Sequence, residues 1–231
     1  MMKILIVGAG RAGLEVAIQL ARIGHAVTIV DTDATVARRA AEQFGIVALA
    51  GDATTAEVLD DAAIAEMDIV LAMLRRDADN LAVSLLARAA GVERVMVRMR
   101  DNAYGPVYAN AGIDRVLSET DLITGAIATA VEHDAIRHAM LIGDGTAIAF
   151  ELTIPAGSVA AGRTVMELAN HPDFPRSGVF AALYREGGGV EGPRGSSVVD
   201  AGTTVLLVAH RNEVSRAITA LTAPVAVDAG R

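Results

Sequence analysis

The first half of the chain alternates between two hydrophobic patterns. Residues 4–7, 27–30, 46–50, 68–74, 95–98 and 115–117 are short, nearly continuous apolar runs. Such runs are the mark of parallel strands covered on both faces, whereas half-solvated strands alternate. Between them apolar positions recur every three or four residues, as with Leu14, Ala17, Ile18 and Ala21, or Leu59, Ala62 and Ala63. The stretches 34–44 and 79–90 read as helices stopped by Gly45 and Gly91, and 102–111 reads as a helix interrupted near Gly105-Pro106. Six strands alternating with helices predict an α/β fold, a doubly wound parallel sheet.

The pattern changes after residue 119. Residues 120–138 form a long helical pattern carrying Leu122, Ile123, Ile127, Ala130, Val131 and Ile136, and no further strand–helix–strand unit follows. Beyond Gly143, glycines and prolines punctuate shorter elements. These are a strand over 146–154, a turn at 155–157, a helix over 165–169 and a loop over 171–175. A strand over 179–184, a hairpin tip at 187–189, a strand over 203–209 and an amphipathic helix over 212–221 complete the series. The expected organisation is a nucleotide-binding domain over 1–119, a linking helix over 120–142, a smaller α+β domain over 143–222 and a tail over 223–231.

The first strand ends in Gly8-Ala9-Gly10-Arg11-Ala12-Gly13, a G-x-G-x-x-G turn that opens a helix, and the second strand closes on Asp31, 18 residues beyond Gly13. This is the dinucleotide fingerprint of a Rossmann-type sheet. Gly8 permits the tight turn, Gly10 lets backbone approach a pyrophosphate, and Gly13 lets helix and strand pack closely. The helix start offers unpaired N–H groups to the phosphates. A carboxylate at position 31 can accept both ribose hydroxyls, and it repels a 2′-phosphate, favouring NAD over NADP. The usual strand order brings the ends of the other strands to the same crevice. The candidate nucleotide contacts are therefore Gly8, Ala9, Gly10, Arg11, Ala12, Gly13, Asp31, Thr32, Asp52, Ala53, Met73, Leu74, Arg75 and Arg98. Asp52 has two readings, one along the adenine and one as a helix-capping Asx turn. Arg98 is a cation in an apolar strand, so it needs either an anionic ligand or an acid such as Asp79 or Glu119.

Composition narrows the classes. Of 231 residues, 52% are hydrophobic and 3% aromatic, so the core is built from Ala, Val, Ile and Leu. No apolar run approaches the roughly 18–20 residues of a membrane span, and the mean hydropathy of +0.41 points to a buried sheet and subunit interfaces. A net charge of −8 argues against nucleic-acid binding. There is no cysteine, and the five histidines lack metal-ligand spacing, so no metal site is expected. Met1-Met2-Lys3 runs straight into the first strand, and a cytoplasmic protein is expected.

The joint order of motifs resembles the regulator-of-potassium-conductance family, in particular the Trk/Ktr-type cytoplasmic regulatory subunits of bacterial potassium uptake. The resemblance rests on the 8–13 turn with arginine after its second glycine, Gly24-His25-Ala26-Val27 leading to Val30-Asp31-Thr32-Asp33, and Gly51-Asp52-Ala53-Thr54. It rests also on the helix start Asp77 to Asn80 with Leu81, on Ala111 to Val116, and, in the second half, on Gly157-Ser158, Ala161 to Val165 and Gly202 to Val205. It implies an NAD(H)-binding or ATP/ADP-binding domain and a C-terminal ligand and dimerisation module. It also implies dimers building an octameric ring on an integral-membrane potassium transporter or channel subunit. The protein would then be peripheral on the inner face of the membrane through that partner, with nucleotide exchange gating transport. By the same resemblance Arg11 reaches a neighbouring subunit's nucleotide. Two departures stand out. Arg75-Arg76 replaces small polar residues, and Ser118-Glu119-Thr120 replaces a [SH]-P-E motif.

Two other classes compete, an NAD-dependent oxidoreductase and a regulatory module of a cation–proton antiporter. Hydride transfer needs an acid–base group beside the nicotinamide. Lys3 is the only lysine, and Tyr104, Tyr108, Tyr184 and the histidines show no catalytic pairing. No catalytic residue is assigned, and a non-enzymatic role is expected.

Overall fold

A computed structural model of the protein describes residues 1–113, 115–143, 145–185 and 187–225, and divides the chain into two compact units, Met1–Thr120 and Asp121–Arg231. Asp114, within the 111–116 motif, and most of the tail lie outside the described residues.

The first unit is a six-stranded parallel sheet with strands β1 (Lys3–Val7), β2 (Ala26–Asp31), β3 (Val47–Ala50), β4 (Ile69–Ala72), β5 (Arg94–Met99) and β6 (Arg115–Ser118). Their spatial order is β3-β2-β1-β4-β5-β6, so the chain reverses direction between β1 and β4. Helices α1 (Arg11–Arg22), α2 (Ala34–Phe44), α3 (Ala56–Asp61), α4 (Asp77–Ala89) and α5 (Gly105–Asn110) connect them. The strand pleat sorts the core. Ile4, Ile6 and Ile29 face Ala17 and Ile18 of α1 and Ala40 of α2, while Leu5, Val7, Val70, Val95 and Val97 face Leu59, Val83 and Tyr108. Both faces of the central strands are thus apolar, which is why they read as unbroken runs. On the α1 side beyond β1, Leu71, Met73, Met96 and Leu117 line an apolar groove of about 270 Å³ with Arg98 at its rim.

The interruption expected at Gly105-Pro106 is real. A 3₁₀ turn over Asn102–Tyr104 passes directly into α5, with the proline in the helix's first turn where no N–H is needed.

Helix α6 (Glu119–Glu132) begins the passage to the second unit. The helical pattern expected to run to residue 138 stops six residues early. Residues Ile136–Ile142 are instead a strand, β7, paired antiparallel with β8 (Ala147–Thr153). A linking helix over 120–142 is corrected accordingly. The cause is a β-bulge between Ile136 and Ala139, which breaks the two-residue alternation and leaves Ile136, Ala139 and Leu141 facing the core.

The remaining elements are β9 (Arg163–Thr164), α7 (Val165–Ala169), β10 (Val179–Tyr184), β11 (Val190–Glu191), β12 (Val198–Val199), β13 (Thr204–His210) and α8 (Val214–Thr222). They form an antiparallel sheet in the order β11-β10-β13-β8-β7 and a two-stranded β12-β9 ribbon. Phe150, Leu183, Val205 and Leu207 of the sheet pack against Val214, Ala217 and Leu221 of α8 and Leu168 of α7. Phe174 and Phe180 stack at 5.2 Å. This unit is the smaller α+β domain that the sequence predicts, apart from the unanticipated β7 and the β9–β12 ribbon, whose two-residue strands are too short to show a period.

Candidate functional site

The crevice lies where the strand order reverses, outside the carboxyl ends of β1 and β4. The three glycines at its rim differ in what the fold asks of them. Gly8 sits at φ +100°, and a Cβ there would lie 2.9 Å from the Met73 carbonyl oxygen. A Cβ on Gly13 would fall inside the Gly8 carbonyl oxygen. Gly10 has ordinary backbone angles, φ −58° and ψ 179°, and a Cβ there would meet nothing within 4 Å. Fold geometry therefore demands Gly8 and Gly13, whereas Gly10 leaves open space above the turn.

That space is bounded by the start of α1. The first intrahelical bond runs from Leu14 N–H to the Gly10 carbonyl at 2.9 Å, and no side chain caps the helix. The N–H groups of Arg11, Ala12 and Gly13 have no hydrogen-bond partner among the described residues, so they and the positive dipole end suit an anion. The Arg11 side chain is exposed at the first helical position.

Asp31 closes the other side. Its Oδ2 accepts the Ala9 N–H at 2.6 Å and its Oδ1 accepts the Asp33 N–H at 2.9 Å. The carboxylate thus ties the glycine turn to the end of β2, and its remaining lone pairs stay available to hydroxyls. Ala9 is consequently occupied, with its N–H on Asp31 and its side chain in the core. Thr32 is exposed beside it.

Asp52 forms an Asx turn, but it does not cap α3, whose N-cap is Thr55. Its Oδ1 accepts Thr54 N–H at 2.9 Å and the Thr54 hydroxyl at 2.7 Å, and these bonds hold its carboxyl below the ordinary aspartate value. Ala53 is buried in the core, so only its backbone could face a ligand.

At the end of β4, Met73 and Leu74 are half-buried and pack into the cores on opposite faces of the sheet. Arg75 is exposed, and Arg76 makes a loose 3.7 Å pair with Asp79. Arg98 has found the acid that its burial requires. Its Nε donates to Glu119 Oε2 at 2.8 Å, and Arg100 Nε lies 3.3 Å from the same oxygen.

Two residues matter more than their exposure in the sequence suggested. Asn80 is fully buried and staples the ends of β4 and β5 together. Its Oδ1 accepts Leu74 N–H at 2.8 Å, and its Nδ2 donates to the carbonyls of Leu74 at 3.2 Å and Arg98 at 3.0 Å. Asp77 receives the N–H groups of Arg100 and Asp101 and the Tyr108 hydroxyl. Burial and the Asp77 charge push the Tyr108 phenol well above its ordinary value. The signal was present in the sequence as an Asp and an Asn at the start of an apolar helix. Their partners, however, lie up to 31 residues away, where spacing cannot show them.

An open parallel sheet with this turn and this acid at its switch point defines a Rossmann-type dinucleotide fold. Residues 4–119 match the TrkA-N domain, half of the chain, and the protein belongs to that family. Relatives extend the likeness into the second unit. A Trk system potassium uptake protein TrkA homolog of Archaeoglobus fulgidus is 30% identical over 217 residues, covering 92% of this chain and 48% of its own. A homolog of the same description from Methanothermobacter thermautotrophicus is 24% identical over 216 residues, covering 94% of this chain and 97% of its own. The chain thus spans about half of the first relative and nearly all of the second. Among solved structures, a GsuK channel bound to NAD superposes with a TM-score of 0.67 at 19% identity, over 98% of this chain and 40% of its own. That likeness speaks to the fold, and it includes both units. The resemblance to Trk-type proteins drawn from the motifs agrees with these matches. Among the described residues no helix is long and apolar enough to cross a membrane, and no group of three metal-ligating side chains is found.

Proposed function

We propose that the protein is a nucleotide-sensing regulatory subunit, binding NAD(H) in the crevice of its first unit and gating a membrane potassium transporter or channel. The observation that carries the nucleotide reading is the pairing of open space over Gly10 with the uncapped start of α1. A pyrophosphate fits there without displacing any protein hydrogen bond. Asp31, fixed by two backbone N–H groups, presents a carboxylate to a ribose, which favours NAD(H) over a 2′-phosphorylated cofactor. Arg11 and Arg75 supply further positive charge at the rim and leave ATP or ADP as a second ligand class.

The transport half of the reading rests on relatives named as potassium uptake proteins. In this reading copies of the chain assemble as dimers into a ring beneath an integral-membrane partner, with the 1–119 domain sensing and the second unit joining subunits. A ligand gates only if it binds two ring shapes unequally. An oxidoreductase is disfavoured in part because Tyr108, one of the three tyrosines, is buried in the core with its hydroxyl on Asp77 and is not available as an acid–base group.

A thermal-shift and calorimetric panel of NAD+, NADH, ATP and ADP, followed by small-angle scattering of each complex, tests the proposal. Binding with a ligand-dependent change of oligomer shape is expected. Absence of binding by all four would overturn it, as would oxidation of NADH by added 2-keto acids.

A further inference from the structure

We infer that the second unit holds a separate binding site for a small organic anion, one with an apolar body and a single phosphate or carboxylate. The site is a cavity of about 460 Å³ between β9, the loop after α7, and α8, a volume within the range of small-molecule pockets. Three cationic or proton-donating side chains reach it from three elements, namely Arg163, His171 and Arg216. Asp173 is the one acid in its lining. A local excess of positive groups is unusual in a chain of net charge −8.

The cations are prepared rather than incidental. Arg216 is locked to the loop, its Nε donating to the Asp173 carbonyl at 3.0 Å and one terminal nitrogen to the Pro172 carbonyl at 2.7 Å. Its other terminal nitrogen keeps both protons for a ligand, and a guanidinium so fixed loses little freedom on binding. His171 Nδ1 accepts the Asp173 N–H at 3.3 Å and lies 3.7 Å from Asp173 Oδ2, so the lining's one acid is matched by this ring. Arg163 follows Gly162 at φ +80° and makes no side-chain hydrogen bond or ion pair among the described residues. The nearby Glu167 carboxylate is hydrogen-bonded to Thr164 and feels the Arg163 charge only at longer range. Val159, Ala220 and Ala223 supply the apolar wall, and the hydroxyls of Ser215 and Thr219 line the α8 side. Nothing in the crevice of the first unit contributes to this cavity, so the site stands independently of the nucleotide reading.

Calorimetry on the full chain with phenyl phosphate, benzoate and inorganic phosphate tests it. At least one organic probe is expected to bind with a Kd below about 1 mM, and the probe that binds identifies the headgroup. Arg163→Gln, at an exposed position, should melt with the parent and weaken binding roughly tenfold or more, the loss of one charge-assisted contact. Ala220→Leu should weaken it too by narrowing the apolar side. Failure of both organic probes at about 10 mM would overturn the proposal. So would unchanged affinity in Arg163→Gln, or inorganic phosphate binding as tightly as phenyl phosphate.

Discussion

The Ala9 N–H donates to Oδ2 of Asp31 over 2.6 Å, across the gap between β1 and β2. The acid that would recognise a ribose is therefore also a strut of the glycine turn, and the two roles should fail together. Asp31→Ala leaves the Ala9 and Asp33 N–H groups without their acceptor, and we expect a loss of about 1–3 kcal/mol of stability. Adenine-nucleotide affinity should fall with it. Urea denaturation and calorimetry check the pair. Full stability with lost binding would mean that the strut is idle.

The glycines should separate folding from binding. Gly13→Ala sets a methyl against the Gly8 carbonyl oxygen, backbone that cannot swing aside, and should cost about 3 kcal/mol or more. Gly10→Ala meets open space at ordinary backbone angles, so its melting temperature should stay near the parent's while nucleotide binding is lost. A Gly10→Ala protein that binds NAD+ normally would place the pyrophosphate elsewhere.

Asn80→Ala should be among the most damaging polar substitutions in the first unit. It strips partners from the N–H of Leu74 and from the carbonyls of Leu74 and Arg98. Groups left buried without partners cost about 1–3 kcal/mol each, and we expect about 3 kcal/mol in all by chemical denaturation. A loss under about 1 kcal/mol would show that water replaces the side chain.

The capping box of α7 gives a pH dependence. Glu167 accepts from the Thr164 N–H and hydroxyl, both at 2.7 Å, and these bonds hold its carboxyl below the ordinary 4.5. A carboxyl depressed in the folded state contributes stability above its unfolded pKa. That contribution disappears as pH falls through the folded value. Glu167→Gln removes the titration, so its melting temperature should drop less than the parent's between about pH 6 and pH 3. Equal drops in the two proteins would exclude Glu167 from the acid limb.

Much of the first unit was legible because its signals are local. Buried parallel strands give continuous apolar runs, and Gly8 and Gly13 answer to contacts within one turn or with the adjacent strand. The end of α6 was not legible, because the bulge after Ile136 imitates a helical spacing. The partner of Arg98 was left open between an anionic ligand and an acid such as Asp79 or Glu119, and the fold brought Glu119 to it. The Asx turn of Asp52 was one of two readings, and Thr54 supplies its donors. Asp77 and Asn80 were read only as part of a motif at a helix start, and their role as staples was not, since a buried polar residue is defined by partners that only tertiary structure supplies.

The bulge in β7 has a bearing on how this family can vary in length. Between Ile136 and Ala139 the strand holds one residue more than its pairing with β8 uses, and that surplus sets which later side chains turn inward. A deletion of Arg137 or His138 would restore simple alternation. Ile136 and Ala139 would then stand two residues apart, so Ala139 and Leu141 would keep facing the core and Met140 and Ile142 the solvent. The bulge is thus the place where this edge strand can lose one residue and keep its pairing with β8. A loss of one codon anywhere from Ala139 to Ile142 would instead shift the inward set.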